Sequence, residues 1–300
     1  MRSIARQSAL LVIVCVAAFA VLGCGRTVNK PSGKMLVAAS IGPLGNFAEK
    51  VGGKLVDVRI LVQPGASPHT YQLTTEQMEM LSNASVLVLN GVNLEFWANK
   101  AIDAADNPKL IVTRTAEGLP VLASGDDHDH LGGNPHLWLN PVYAVRQVEM
   151  IRSAFIMADP KHADDYKSNA AKYIADLKRL DKDIRKEVKT FKSKDFIAYH
   201  PAWVYFAKEY GLRQAAVIEE TPGKEPSPSE LADVIKVCKK TKARAIFAEP
   251  QFSPKAAKVI AGECGANVLM LDPIGKPPHY DYIATMRANL KQMTKALGQK

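Results

Sequence analysis

ADDYKSNAAKYIADLKRLDKDIRKEVKTF, residues 163–191, runs without a glycine or proline from one end to the other. Tyr166, Ala170, Ile174, Leu177, Leu180, Ile184, Val188 and Phe191 recur in it at helical spacing, which leaves one apolar stripe and one charged face. The pattern predicts a single amphipathic helix of about 43 Å, at about 1.5 Å per residue. Asp159-Pro160 just before it predicts the helix start, with the carboxylate as cap and the proline in the first turn. A free coiled-coil arm is the alternative. The stripe covers only about four heptads and lies between two globular blocks, which favours a helix that joins them.

On either side of this helix, short apolar runs alternate with helix-length segments, the signature of an α/β fold with mainly parallel strands. In the first block the predicted strands are 35–39, 56–62, 86–90 and 110–112, and the helices 43–51, 75–83, 94–105 and 142–157. In the second the strands are 196–199, 215–218, 245–248 and 268–271, and the helices 202–210, 229–240, 254–264 and 281–297. The expected organisation is a first lobe over 35–160, a connecting helix over 161–192 and a second lobe over 193–300. Two stretches, 115–135 and 221–228, are predicted loops, and the first carries the acidic, histidine-bearing DDHDH (126–130).

Upstream, Arg2 and Arg6 precede an uncharged run whose apolar part, Ala9 to Leu22, has the length of a signal-peptide core and is short for a membrane span. The run ends in AVLGC (20–24), which resembles the lipobox at which bacterial lipoproteins are cleaved and acylated, here on Cys24. Residues 1–23 are thus expected to be a signal peptide and 24–34 a lipid-anchored tether. Ordinary cleavage near Gly23 is the alternative. Loss of Arg2 and Arg6 lowers the net charge from +9 to +7. The remaining cations do not point to nucleic acid, because they alternate with acids on helix faces, as in KRLDKDIRKEVK (178–189).

In open α/β sheets, ligands bind beyond the carboxyl ends of the strands. Of the seven histidines, His69, His136 and His200 fall at such positions, and Asp272 directly follows the strand at 268–271. Three imidazoles and one carboxylate make a tetrahedral shell for Zn²⁺. Their separations in sequence are far too long for a local metal finger and suit a site between lobes. Proline neighbours each histidine, at Pro68, Pro135 and Pro201, and stiffens the backbone there. Trp138 and Trp203 are expected to pack behind the site, or simply in the core.

PGASPHTY (64–71), NPHLWLNP (134–141), AYHPAWVYFAKEYGL (198–212), EETPGKEPSP (219–228), FAEPQFS (247–253) and LDPIG (271–275) resemble the solute-binding receptors of zinc and manganese ABC importers, the metal-binding cluster A-I family, and above all its zinc branch. The likeness runs through nearly all the chain beyond the leader, in the family's order. It implies two α/β lobes joined by one rigid helix, with the metal in the cleft. It also implies an exported monomer, held at the bacterial cell envelope by its lipid, that captures zinc and passes it to a membrane permease and its ATPase. His69, His136 and His200 match the family's metal-binding histidines, whereas Asp272 matches an acid that is a ligand in some members only. The long histidine-rich loop of the zinc branch is here reduced to DDHDH, where His128 and His130 either collect metal transiently or lie in a plain solvated loop. His162 and His279 are expected at the surface.

Manganese is the alternative cargo within the same family. It favours harder, oxygen-rich shells, while a histidine at position 200 points to zinc. A zinc metallohydrolase is a further alternative, but the chain has no His-Glu-x-x-His, and a four-residue protein shell would leave no place for water; Glu219, Glu220 and Glu249 are the acids that could act as bases. A surface adhesin carries no motif by which to include or exclude it. Once Cys15 is removed with the leader and Cys24 is acylated, Cys238 and Cys264 remain. They lie near the carboxyl ends of consecutive parallel helices, so a disulfide is expected, with two free buried thiols as the alternative.

Overall fold

A computed structural model describes residues 33–123, 132–220, 223–278 and 280–298. Cys24, His128, His130 and His279 lie outside them, as does the whole predicted leader. Lys34–Lys300 is one compact unit.

The first four strands are β1 (Met35–Ala39), β2 (Val56–Ile60), β3 (Val86–Leu89) and β4 (Ile111–Arg114), alternating with helices α1 (Gly42–Gly52), α2 (Thr75–Leu81) and α3 (Ala98–Ala105). α4 (Pro141–Ala158) closes this lobe and α5 (Ala163–Val188) leaves it. The second lobe holds strands β5 (Asp195–Ala198), β6 (Arg213–Val217), β7 (Ala245–Ala248) and β8 (Asn267–Met270), and helices α6 (Val204–Tyr210), α7 (Pro228–Thr241), α8 (Lys255–Cys264) and α9 (Tyr282–Leu297). All strand pairs are parallel, in the orders β2-β1-β3-β4 and β6-β5-β7-β8. The two lobes therefore repeat one winding. The central strands VLVL of β3 and AIFA of β7 are buried along their whole length, since helices cover both sheet faces.

Helix α5 is held by both lobes. Tyr166, Ala170, Tyr173, Leu177, Leu180, Ile184 and Val188 form its buried stripe, in a continuous core that runs from Val37 in β1 through α4 and α5 to Leu297 in α9. Tyr173 takes the inner place that the periodicity assigned to Ile174, which is only partly buried. Asp164 and Asp165 in its first turn and Arg185 and Lys186 in its last suit the helix dipole.

The expected helix start is corrected. Pro160 opens a 3-10 turn, Pro160–His162, and the residue flanking α5 is His162, with no side-chain cap. Asp159 ends α4, and its Oδ2 accepts from His162 Nδ1 (2.6 Å) and Tyr166 OH (2.9 Å) rather than from backbone N–H groups of α5. Burial raises the Asp159 carboxyl, but the bonds from His162 and Tyr166 outweigh it and hold the group below its usual value. His162 is half-buried by the same contact.

α3 also begins later than its sequence suggests. Val92 and Asn93 take left-handed φ values of 54° and 57°, and the chain turns before Ala98. The buried Glu95 pins that turn: Oε1 accepts from Ser40 Oγ (2.6 Å) and Asn90 N (2.8 Å), and Oε2 from Gly91 N (2.9 Å). Farther from the connecting helix, Cys238 and Cys264 form a disulfide between α7 and α8, with Cα atoms 6.2 Å apart. No helix among the described residues is long and apolar enough to cross a membrane.

Candidate metal centre

In both sheets the strand order reverses at the first strand, so a crevice opens beyond the carboxyl ends of the strands. His200 sits there, two residues past the end of β5. His136 ends the long connection from β4 and immediately precedes a 3-10 turn, Leu137–Leu139. His69 lies in the loop between β2 and α2, where Thr74 and Gln77 form a reciprocal capping box that fixes the loop's exit.

The three side chains converge. His136 Nε2 is 3.1 Å from His69 Nε2 and 3.0 Å from His200 Nε2, and one ligand atom from each ring lies within 4.8 Å of the others. His136 and His200 are 2% and 3% exposed, whereas His69 is half-buried and forms the outer wall.

Two acceptors decide which nitrogens face inward. His136 Nδ1 is 2.9 Å from Asn134 Oδ1, and His200 Nδ1 is 2.7 Å from Glu249 Oε1. Each Nδ1 must carry the proton, so in the neutral rings each Nε2 presents a lone pair. The His136 and His200 lone pairs then oppose one another across 3.0 Å with no hydrogen between them. A shared cation removes that repulsion. Ligand atoms of a tetrahedral zinc ion, at about 2.0–2.1 Å from the metal, stand roughly 3.3–3.4 Å apart. The observed spacings fall a few tenths of an ångström short of that, so a small outward shift would admit the ion.

Glu249 adds a second reason for a cation. It is 1% exposed, and its Oε2 has no hydrogen-bond partner among the described residues. Burial pushes its carboxyl above the usual range, and the neighbouring His200 offsets this only in part. A divalent ion held by His200 would stabilise that buried charge, and the carboxylate would in turn strengthen the imidazole as a donor. The cavity between the histidines, Trp138, Phe252 and Ile274 holds only about 10 Å³. That is below the roughly 300–1,000 Å³ of pockets for organic ligands and suits an ion.

Asp272 is not part of this cluster. Its Oδ1 accepts from Ile274 N (3.1 Å) and Gly275 N (2.8 Å), and its backbone exchanges two 2.8 Å bonds with the Asn289 side chain. Three of the four expected ligands thus converge, while Asp272 stands apart from them with Oδ1 engaged by the turn at 272–275. Asp272 shapes the site indirectly: Trp138 Nε1 donates to Pro273 O (2.7 Å), and Pro273 and Ile274 wall the cavity. Trp138 backs His136 at 5.2 Å between ring centroids, while Trp203 packs against Phe206 in the core.

The supporting roles of Asn134 and Glu249 escaped the sequence reading, which singled out Glu249 only as a conceivable base. Its place directly after β7, beside the strand that delivers His200, was the available signal. Glu219 is also buried, with its carboxyl raised mainly by desolvation; it accepts from Gly223 N and stands outside the cluster.

Comparison with known proteins agrees with this geometry. Residues 37–296 match the ZnuA family, described as the periplasmic component A of the zinc-uptake complex. The chain is 29% identical to the zinc-binding lipoprotein AdcA of Streptococcus pneumoniae over 97% of its own length, and spans 61% of that protein. With the high-affinity zinc uptake system protein ZnuA of Bacillus subtilis it shares 27% identity over 96% of this chain and 97% of the other. A crystal structure of a ZnuA superposes with a TM-score of 0.80 at 33% identity, covering 88% of this chain and 99% of that one.

Proposed function

Since this chain belongs to the ZnuA family of zinc-uptake components, we propose that it captures a zinc ion outside the cytoplasmic membrane and delivers it to the permease and ATPase of an ABC importer. The observation that carries this reading is the convergence of three imidazole nitrogens, two of them locked as lone-pair donors by Asn134 and Glu249. His69 and His136 come from the first lobe and His200 from the second, so the ion is cargo held where the lobes meet and released when they part. Attachment through a lipid on Cys24 belongs to the same reading, and the pneumococcal relative is named a lipoprotein.

Three convergent imidazoles favour zinc over manganese, which takes harder and more numerous oxygen ligands. Against hydrolysis, three convergent histidines by themselves leave a position open, so a filled shell is not what excludes it. The deeply buried His136 and His200 and the small cavity serve instead, for a scissile bond would have no room beside the ion.

The test is metal analysis of protein purified without chelator, followed by competitive titration with Zn²⁺ and Mn²⁺. One zinc per chain, displaced by manganese only at large excess, is expected; uptake rescue confined to manganese-limited cells would overturn the choice of metal.

A further inference from the structure

Every backbone polar group of Asn134, and both polar atoms of its side chain, are engaged, and the partners come from both lobes. Its N–H donates to Leu122 O (2.8 Å), and its carbonyl accepts from Tyr205 OH (2.6 Å). Its Oδ1 accepts from the backbone N–H and the Nδ1–H of His136 at 3.0 and 2.9 Å, while Nδ2 donates to Pro201 O at 2.6 Å. The residue is 2% exposed. The orientation of the amide follows from backbone partners alone, since only oxygen can accept from His136 N and only nitrogen can donate to Pro201 O.

Pro201 is peptide-bonded to His200. One side chain thus grips the ring of a first-lobe histidine and the backbone beside the second-lobe histidine. We propose that Asn134 is a positioning residue that couples the approach of the lobes to the presentation of the His136 and His200 lone pairs, and so sets how slowly the metal ion leaves. The proposal rests on the metal-receptor reading above.

With the lobes together, Pro201 O orients the amide, and the amide holds His136 in the tautomer that turns Nε2 toward His200. When the lobes part, the amide loses its bond to Pro201 O, which leaves its two bonds to His136 without that anchor, and it gains freedom about its soft terminal torsion. His136 is then no longer fixed, and the shell that holds the ion loosens in the same movement. Tyr205, on α6 of the second lobe, works in parallel: its hydroxyl donates to Asn134 O and accepts from Leu122 N at 3.0 Å.

Asn134→Asp isolates the coupling. It is nearly isosteric, keeps an oxygen for His136, and sets a carboxylate oxygen against Pro201 O in place of the donor. The experiment measures Zn²⁺ dissociation into a chromophoric chelator for the native chain, Asn134→Asp and Tyr205→Phe, with the absorption spectrum of each Co²⁺ form and the thermal melt of each metal-free form. The expected result is zinc loss about 10–100-fold faster from Asn134→Asp, the size typical of a lost supporting contact, with the native Co²⁺ spectrum retained. Tyr205→Phe is expected to move the rate the same way by less. The native dissociation rate in a folded Asn134→Asp would overturn the coupling and leave the receptor reading intact. A faster rate with an altered Co²⁺ spectrum would overturn it too, since a ligand would then have been lost. Should Asn134→Asp fail to fold, an unchanged rate in Tyr205→Phe overturns it. A native chain that binds neither Zn²⁺ nor Co²⁺ would remove the receptor reading itself.

Discussion

Two imidazole nitrogens 3.0 Å apart, each with its other nitrogen committed to an acceptor, set the chemistry of the site. Removal of Glu249 tests this most simply. Glu249→Gln keeps an oxygen for the His200 Nδ1–H but deletes the charge, and zinc affinity is expected to fall by about 10–100-fold in a competition titration. Unchanged affinity would mean that the carboxylate is a passive neighbour.

Glu95 offers a separate test, away from the metal. Burial raises its carboxyl above the ordinary 4.5, and the bonds from Ser40, Asn90 and Gly91 offset this only in part. The folded state therefore binds more protons than the unfolded state between the ordinary and the raised value, and stability falls as pH rises through that interval. Glu95→Gln should abolish this part of the slope. It should also cost about 1–3 kcal/mol, because the new NH₂ faces backbone N–H groups that need an acceptor. Urea unfolding of the metal-free protein at several pH values reads both effects; a slope equal to the native one would contradict them.

The same residues show what could be read from sequence. His69, His136 and His200 were legible because each follows the carboxyl end of a strand, directly or through its loop, and adjoins a proline. Asp272 met the strand-end criterion equally well, but its place in the turn LDPIG, where Oδ1 accepts from N–H groups two and three residues on, was not read from the sequence. Asn134 and Glu249 act on rings brought to them by the fold, and spacing alone carries no trace of that.

Among the elements, the strands were the most legible, since VLVL and AIFA lie buried on both faces and read as continuous apolar runs. The misplaced helix starts have one long-range and one local cause. Glu95 pulls the turn before α3 toward Ser40, 55 residues away, and Asp159 spends its carboxylate on His162 and Tyr166. The bond between α7 and α8 gives the element-level prediction. It closes a 26-residue separation, so replacing Cys238 and Cys264 together with serine should lower stability by about 3 kcal/mol in the chain-entropy model, with zinc affinity little changed. Urea unfolding with and without reductant checks it, and equal midpoints for native and variant would refute it.

Across the whole molecule, two lobes of the same winding meet on α5 and share one core, while the site draws His69 and His136 from one and His200 from the other. Holding and release of the ion are then one motion of the lobes, and substitution of a histidine on either side should open the shell. The most direct measurement is zinc K-edge X-ray absorption on protein carrying one equivalent of zinc. Three imidazole nitrogens at about 2.0–2.1 Å and no sulfur are expected in the native chain, with the imidazole scattering reduced to two rings in both His69→Ala and His200→Ala. A native shell of other composition, or one unchanged by either substitution, would contradict a zinc site shared between the lobes.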